Sequence, residues 1–247
     1  MFFSNATKQL ASFFGQEDLA ATARIVFKYL KRGLAQTHVY VVGHPISQDN
    51  PILATETDLE IKQMTVHDND DIDELIAIDE WPISKSDTVK MLEKGQLCYI
   101  AKHQGHLVAC GWVIITEKFE DYFLRRQLWL APNEAYYWRT MTLPSFRGRG
   151  IVPYLLAQID ADLGRRFGKT YGLGWVRTNN KPMLRAVGKI GRIQVGRMGF
   201  FQVLNIRFHY LLGPRAFSRT KPRLKVQMLR LSWRNLSSVS EQGHVVH

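Results

Sequence analysis

The chain has 247 residues, of which 45% are hydrophobic, so it can bury a sizeable core as one large domain or two small ones. Its formal net charge of +11 suits phosphate-bearing partners, but no nucleic-acid-reading module is present, which argues against nucleic acid as the ligand. With two cysteines and eight histidines that show no ligand spacing, we expect neither a disulfide framework nor a metal site.

Residues 1–56 are predicted to form an N-terminal extension with one helix and one strand. The helix is predicted over residues 17–33, where apolar side chains share one side and lysine and arginine lie elsewhere. Such a helix can lie on an anionic membrane or cover a core, and both interpretations stay open. The strand is predicted over residues 37–43. No signal peptide or membrane span is indicated, so we expect a cytoplasmic protein, with peripheral attachment at the inner membrane face left open.

A core is predicted over residues 57–205, and it begins with a strand, two helices and a hairpin. Ser84 or Ser86 is the expected N-cap of the second helix, Gly95 its end, and Gln104-Gly105 the hairpin turn. The predicted elements are a strand at 59–66, helices at 68–79 and 84–94, and hairpin strands at 98–102 and 107–116.

Residues 117–134 exceed what a tight hairpin needs. They are interpreted either as a long loop that packs on its own side chains or as a flap beside a substrate site. Residues 135–142 follow as a predicted strand, because they are rich in aromatic and β-branched types.

The turn after this strand carries the strongest functional signal. Gly148 and Gly150 can expose consecutive main-chain N–H groups, and a helix predicted from Ile151 points its first N–H groups to the same place. Arg147 and Arg149 add two cations with forked donors. The pattern therefore predicts a site for a diphosphate at a helix N-terminus. Pro153 in the first turn and Gly168 after the end support the helix.

A second motif follows about thirty residues later. A strand is predicted over residues 170–176, and Asn179 or Asn180 is the expected cap of a helix with Pro182 in its first turn. Lys189 and Gly191 lie nine and eleven residues after Asn180.

Residues 206–247 are predicted to form a basic C-terminal extension, packed on the core or trailing it. Gln202 to Ser240 contains no acid and eight basic residues, but its apolar residues indicate packed structure rather than a disordered arm. The basic surface could meet anionic lipid, or it is simply a solvated face.

These two motifs resemble the acyl-CoA-binding motifs of the GNAT superfamily of N-acetyltransferases. Arg147 and Gly150 match the first, and Asn180, Lys189 and Gly191 match the second. The resemblance implies an α/β (α+β) fold with a mixed, mostly antiparallel twisted sheet flanked by helices. It also implies acetyl-CoA or another acyl-CoA as co-substrate. The donor-binding residues would be Met141, Thr142, Leu143, Arg147, Gly148, Arg149, Gly150, Ile151, Asn180 and Val152, the last in place of the usual small residue.

Both usual catalytic side chains of that family are missing. Val187 stands at the position of the tyrosine acid, and Arg139 at that of the strand carboxylate. The reaction could depend on positioning alone, or Tyr137, on the predicted strand face of Arg139 and Met141, or Glu117 or Glu134 could act instead. Arg139 would favour an anionic acceptor; otherwise it pairs with an acid or faces solvent.

The expected function is acyl transfer from acyl-CoA, by direct attack, to a primary amine of a small molecule or of a cell-envelope or lipid precursor. Two alternatives stay open: an N-acyltransferase that depends on acyl carrier protein, and a non-catalytic acyl-CoA-binding protein. Contact with a membrane or with acyl carrier protein through the basic surface, and a homodimer, are also left open.

Overall fold

The computed structural model describes residues 34–46, 55, 57–78, 83–121, 124, 126–203, 206–213 and 224–228. The predicted helix at residues 17–33 and most of the basic C-terminal extension lie outside this part. The described residues form two compact units. The larger takes in positions from 38 to 198 and from 211 to 213, and the smaller takes in positions 34–37, 199–210 and 224–228, apart from the gaps just given.

The helices and strands follow the predicted order through the core. They are β1 (Leu34–Pro45), β2 (Glu60–Met64), α1 (Asn69–Ile76), α2 (Lys85–Glu93), β3 (Leu97–His103), β4 (His106–Ile114), β5 (Lys118–Asp121), β6 (Arg126–Trp129), β7 (Glu134–Thr142), α3 (Ile151–Phe167), β8 (Tyr171–Arg177), α4 (Lys181–Gly188), β9 (Ile193–Val203), β10 (Ile206–Leu212) and β11 (Lys225–Met228).

Six strands of the larger unit form a sheet in the order β1, β8, β7, β4, β3, β2. β7 and β8 run parallel, and the other neighbours in this series run antiparallel. The mixed, mostly antiparallel sheet flanked by helices that the resemblance implies is therefore confirmed. β1, which was assigned to the N-terminal extension, pairs with β8 from Val39 with Arg177 to Pro45 with Tyr171.

Apolar residues fill both faces of this sheet. On one face, α3 and α4 pack on the strands, and this core includes Leu155, Ile159, Val187 and Tyr137. On the other face, α1 and α2 cover a core that includes Ile72 and Trp112. We call these the α3 face and the α1 face. Helices packed on both faces of the sheet remove its apolar side chains from water, as is usual in α/β proteins.

Local signals account for the element ends. The Ser84 hydroxyl accepts from the Asp87 N–H at 3.1 Å, which confirms the N-cap of α2. The β3–β4 turn uses Gln104 and Gly105, both at positive φ, as predicted. Gly168 ends α3 in the left-handed conformation.

The segment at residues 117–134 is more ordered than a loop. β5 and β6 pair from Lys118 with Trp129 to Asp121 with Arg126, and form a separate hairpin. The Phe119 ring lies 4.5 Å from the Tyr136 ring, centroid to centroid, so this hairpin packs on β7. The interpretation of these residues as a long loop is therefore wrong, because strands of four residues are too short for their sequence pattern to be detected.

The smaller unit is built from β strands. β10 and β11 pair antiparallel from Ile206 with Met228 to His209 with Lys225. Gly199 of β9 approaches the start of β1 so closely that a Cβ there would lie 1.9 Å from the Thr37 carbonyl oxygen. A glycine is therefore required at this contact.

Candidate functional site

The central sheet opens between two of its strands. The parallel pairing of β7 with β8 covers Glu134–Tyr137 and Tyr171–Gly174, although β7 continues to Thr142 and β8 to Arg177. Beyond this pairing, the main-chain N–H and C=O groups on the facing edges leave the ladder and become available to a ligand. We call this opening the split.

β7 carries a bulge inside the split. Gly111 of β4 faces two residues, Arg139 and Thr140, and Arg139 has a φ of 51°, which is rare for a residue with a side chain. The extra residue reverses the alternation, so Tyr137 lies in the α3-face core while Met141 packs on the α1-face core. The prediction that Tyr137, Arg139 and Met141 share one face is therefore wrong, because sequence spacing does not reveal a bulge.

Arg139 lies beside residues of the α1 face. Its Cζ atom is 5.8 Å from the centroid of the Trp138 ring. Burial raises the pKa of the Cys110 thiol to about 12, and the positive charge of Arg139 opposes that rise. A role for Arg139 in acceptor binding on this face stays a prediction.

The predicted phosphate turn connects the end of β7 to α3. Pro144–Phe146 forms one turn of 3-10 helix, and Gly148 and Gly150 follow with φ values of 85° and 77°. Glycine adopts these values without steric cost. A Cβ on Gly148 would meet no atom within 4 Å, so the space beside it is open. The turn therefore has room for a ligand to approach the main chain.

Main-chain carbonyls hold both arginines at the turn. Arg147 Nε donates to the Thr142 carbonyl at 3.0 Å, and Arg149 Nη2 donates to the Ser145 carbonyl at 3.1 Å. The Arg149 guanidinium also lies 5.0 Å from the centroid of the Phe146 ring. These contacts place two permanent positive charges beside the glycines, where they favour an anion.

The N-terminus of α3 adds donors at the same place. Its first intrahelical bond runs from the Tyr154 N–H to the Gly150 carbonyl at 3.2 Å. The N–H groups of Ile151 and Val152 therefore have no acceptor within the helix, and Pro153 has no N–H. The first turn contains no acid, so nothing there opposes the helix dipole. An anion is the ligand that these groups favour.

A buried hydroxyl at the end of β7 also fits a polar ligand. Thr142 is buried, and its Oγ1 has no hydrogen-bond partner among the residues that the structure describes. Buried hydroxyls normally have a partner. Together with the amides and cations of the turn, this hydroxyl suits the diphosphate and the adjoining polar arm of a coenzyme such as acyl-CoA. The donor set therefore fits the group that the resemblance implies.

The second motif lies at α4. Asn180 is the N-cap of this helix, and its Oδ1 accepts from the Met183 N–H at 3.1 Å, as predicted. Lys189 directly follows the helix, and Gly191 has a φ of 73°. In addition to the cap, the Asn180 side chain can donate a hydrogen bond from Nδ2 to an acyl donor. That contact stays a prediction.

The two predicted catalytic carboxylates lie at the ends of the segment at residues 117–134. Glu134 begins β7, about 26 Å along the strand from Thr142 at the usual rise per residue. Its Oε2 accepts from the Ala131 N–H at 2.8 Å. Glu117 is exposed just before β5. Val187 is buried in the α3-face core.

Tyr137 belongs to a buried polar cluster that sequence reasoning missed. Its hydroxyl donates to Asp160 Oδ1, and His44 Nε2 lies 2.7 Å from Asp160 Oδ2. Arg192 Nη2 lies 3.5 Å from Asp160 Oδ1, with the guanidinium Cζ 3.9 Å from the centroid of the Tyr137 ring. Burial and the charge of Asp160 raise the pKa of Tyr137 far above its usual value, so the hydroxyl stays protonated. It is no base at neutral pH.

Tyr136 makes a similar contact on the opposite face. Its hydroxyl donates to Asp121 Oδ2, which also accepts from Trp175 Nε1 at 2.9 Å. Asp121 Oδ1 accepts from the Leu124 N–H at 2.7 Å. Both Asp121 and Tyr136 are buried.

The sequence carries a signal for one of these two aspartates. Asp160 lies four residues after Leu156 and three before Leu163, which places a carboxylate inside the apolar side of α3. A charge in that position is buried and needs partners. Asp121 gives no such signal, because its strand is too short to define a side.

The buried histidine predicts a pH dependence of stability. Burial lowers the pKa of His44 below its usual 6.5, and the hydrogen bond to Asp160 offsets only part of this effect. Just below pH 6.5, the unfolded chain therefore binds more protons at His44 than the folded protein does. The stability that depends on neutral His44 is fully present above pH 6.5 and is lost as the pH falls below that value. We expect the free energy of unfolding in urea to fall by at most about 1.4 kcal/mol per pH unit in this range.

Two variants test this assignment. His44→Gln retains a donor for Asp160 and should flatten the decline of unfolding free energy below about pH 6.5. His106→Gln is the control, since the His106 side chain is 85% exposed. A decline that persists unchanged in His44→Gln contradicts the assignment.

A known family matches most of the core. A family model described as the acetyltransferase (GNAT) family matches residues 60–191, which is more than half of the chain. No curated protein matches the sequence.

Solved structures are similar to this chain at low sequence identity. A GCN5-related glucosamine N-acetyltransferase region of a fungal multi-domain GH3 beta-N-acetylglucosaminidase is 16% identical, over 72% of this chain and 22% of that one, with a TM-score of 0.51. A GNAT-family acetyltransferase from Novosphingobium aromaticivorans is 18% identical, over 68% and 65%, with a TM-score of 0.47. One from Colwellia psychrerythraea is 16% identical, over 68% and 57%, with a TM-score of 0.47. The chain spans between 57% and 66% of the length of the first solved structures that it matches.

Within the described ranges, no cluster of three or more His, Cys, Asp or Glu side chains could hold a metal ion. No helix in the same part of the chain is both long and apolar enough to cross a bilayer.

Proposed function

Because the chain belongs to the GNAT acetyltransferase family, we propose that it transfers an acyl group from acyl-CoA to a primary amine. The observation that carries this proposal is the phosphate turn at the N-terminus of α3, directly beside the split in the sheet. A turn of this kind alone would serve many phosphate ligands. The adjacent split adds an extended slot with main-chain donors and acceptors, which suits a coenzyme with a long polar arm.

The donor would bind along β7 and around the turn. We propose that the diphosphate meets the turn and the first amides of α3, while the pantetheine arm runs beside the end of β7. Asn180, at the start of α4, would also contact the donor. The residues assigned to this site are Met141, Thr142, Leu143, Arg147, Gly148, Arg149, Gly150, Ile151, Val152 and Asn180.

The reaction would be direct attack of the amine on the thioester carbonyl. A C–N bond forms, the C–S bond breaks, and the proton lost by the amine ends on the departing thiolate. Main-chain N–H groups of β7 beyond Tyr137 would stabilise the oxyanion, since the strand leaves its ladder there. Tyr137 is bound to Asp160 and Arg139 is a permanent cation, so we assign the proton transfer to neither. We propose that the acceleration of the reaction comes from positioning the amine against the thioester, with water carrying the proton.

The acceptor would enter from the α1 face. The hairpin of β5 and β6 packs beside Tyr136, and α1 and α2 cover the sheet further along, so the bulge of β7 is flanked on this face. Arg139 and Trp138 lie at that bulge. We propose a small amine that carries a carboxylate or phosphate, because a guanidinium favours such groups.

Calorimetry with three donors tests the proposal. We expect saturable binding of acetyl-CoA, and no tighter binding of a long-chain acyl-CoA or of acyl carrier protein. Preference for acyl carrier protein would favour a carrier-dependent N-acyltransferase instead. Saturable binding of none of the three would contradict the donor assignment.

Turnover is tested separately by release of free thiol. The assay uses acetyl-CoA with a panel of amines. The panel holds an amino acid, a nucleotide amino sugar and phosphoethanolamine, each with an amine of matched size that lacks the anionic group, and glucosamine. We expect the anionic members to react best and Arg139→Ala to raise the KM of those members alone. Binding of acetyl-CoA without thiol release from any amine would favour a non-catalytic acyl-CoA-binding protein.

A further inference from the structure

Two consecutive tyrosines occupy the closed end of the split. Tyr136 is paired with Leu173 and Tyr137 with Gly174, the last two pairs between β7 and β8. Successive residues of a strand point to opposite faces. Tyr137 accordingly lies in the α3-face core, and Tyr136 packs against Phe119 of the β5–β6 hairpin on the opposite side.

Each tyrosine donates its hydroxyl to a buried aspartate. Tyr136 bonds Asp121, and Tyr137 bonds Asp160. The exposed fractions are 4% for Asp121 and 0% for Asp160. Hydrogen bonds to a carboxylate are about twice as strong as neutral ones, and water does not compete inside a core. A tyrosine–aspartate hydrogen bond therefore holds β7 on each face of the sheet at the same point along the strand.

On the α1 side, the bond also reaches the other strand. Asp121 Oδ2 accepts from Trp175 Nε1, and Trp175 is the first residue of β8 after its last pair with β7. One carboxylate thus links β7 just before the separation to β8 just after it. This link replaces ladder bonds that the two strands no longer make.

On the α3 side, the bond reaches α3 and the segment that follows α4. Asp160 belongs to α3, and it also contacts Arg192, four residues beyond the end of α4. His44 of β1 completes the contacts of this carboxylate. Gly172 makes room for them, since a Cβ there would lie 2.5 Å from the His44 ring.

We infer that these two tyrosine–aspartate pairs form a double clasp that fixes where β7 and β8 separate, and that Tyr136, Tyr137, Asp121 and Asp160 are positioning residues for the acyl donor. This inference rests on the proposed function. Without the clasp, the pairing of β7 with β8 would extend further along the strands or lose its last pairs. Either change would alter the slot that the donor enters. Because the clasps hold one point from two faces, each can compensate for loss of the other.

The test removes single hydroxyl groups. Tyr136→Phe and Tyr137→Phe are made separately and together, and Tyr99→Phe is the matched control. The Tyr99 hydroxyl also donates to an aspartate, Asp162 at 2.6 Å, but from β3, which does not border the split. For each protein we would measure the Kd of acetyl-CoA by calorimetry, the free energy of unfolding, and hydrogen exchange of residues 138–142 and 175–177 without ligand.

The expected result is a synergy that a purely structural role does not produce. Each single variant should weaken acetyl-CoA binding by at most about threefold, whereas the double variant should weaken it by more than about tenfold. Exchange at residues 138–142 and 175–177 should rise most in the double variant. Tyr99→Phe should lower stability with an unchanged Kd and unchanged exchange at the split.

The other outcomes decide between the two proposals. Tight binding of acetyl-CoA by wild type and by the folded double variant, with unchanged exchange, overturns the clasp and leaves the proposed function standing. If wild type does not bind acetyl-CoA, the proposed function fails, and exchange in the free protein still decides whether the clasp exists. If the double variant does not fold, Trp175→Phe with Tyr137→Phe removes one bond on each face and takes its place.

Discussion

Gly148→Ala should weaken the binding of acetyl-CoA by about tenfold or more while the protein stays folded. Gly148 has a φ of 85°, and alanine pays about 1 kcal/mol there. The added Cβ meets no atom of the protein within 4 Å. It therefore projects into the open space where we propose that the phosphate of the donor meets the main chain. Calorimetry with acetyl-CoA and urea unfolding measure the two effects separately.

Gly105→Ala is the matched control for this variant. Gly105 has a φ of 82°, and a Cβ there also meets nothing within 4 Å, but it lies in the β3–β4 turn. Both variants should lose a similar free energy of unfolding, and only Gly148→Ala should lose affinity. Equal affinities for the two variants would show that the turn does not hold the donor.

Asp160→Ala should lower the free energy of unfolding by about 3–5 kcal/mol. The carboxylate is completely buried and accepts from Tyr137, His44 and Arg192. Its removal leaves the Arg192 charge, at 6% exposure, without its counter-ion in the α3-face core. Breaking a buried pair from one side costs much more than the pair itself contributes. Urea unfolding near neutral pH gives the measurement.

Asp162→Ala, two residues further along α3, provides the comparison. Asp162 bonds Tyr99 and Arg166, but its side chain is 20% exposed and Arg166 is a surface residue. Water can replace these partners, so we expect a loss of about 1 kcal/mol or less. Losses of similar size in the two variants would mean that the Asp160 cluster contributes no more than a surface ion pair.

Features determined by neighbouring residues could be predicted from the sequence. α3 was expected from its apolar spacing with Pro153 and Gly168 at its ends, and the structure has it at Ile151–Phe167. The cap at Asn180 and the turn at Gln104-Gly105 are likewise encoded within a few residues. The phosphate turn belongs to this class, because its donors come from one short segment.

Features that depend on distant residues could not be predicted. The bulge at Arg139 is visible only from the register of β7 against β4. The partners of the two tyrosines lie 15 and 23 residues away along the chain, and no spacing rule connects them. Nothing in the sequence of β1 indicates that it adds to the sheet beside β8. Each of these features depends on tertiary contacts that no local pattern records.

The contacts of Asp160 affect which fragments of the chain are expected to fold. The family match ends at residue 191, one position before Arg192, and begins at residue 60, well after His44. A fragment with those boundaries would keep the buried carboxylate and lose two of its three partners. It would also lack Thr55, whose hydroxyl donates to the Arg149 carbonyl at 3.2 Å. We therefore expect the smallest fragment that folds on its own to extend past both limits of the family match, so that the buried carboxylate keeps its partners.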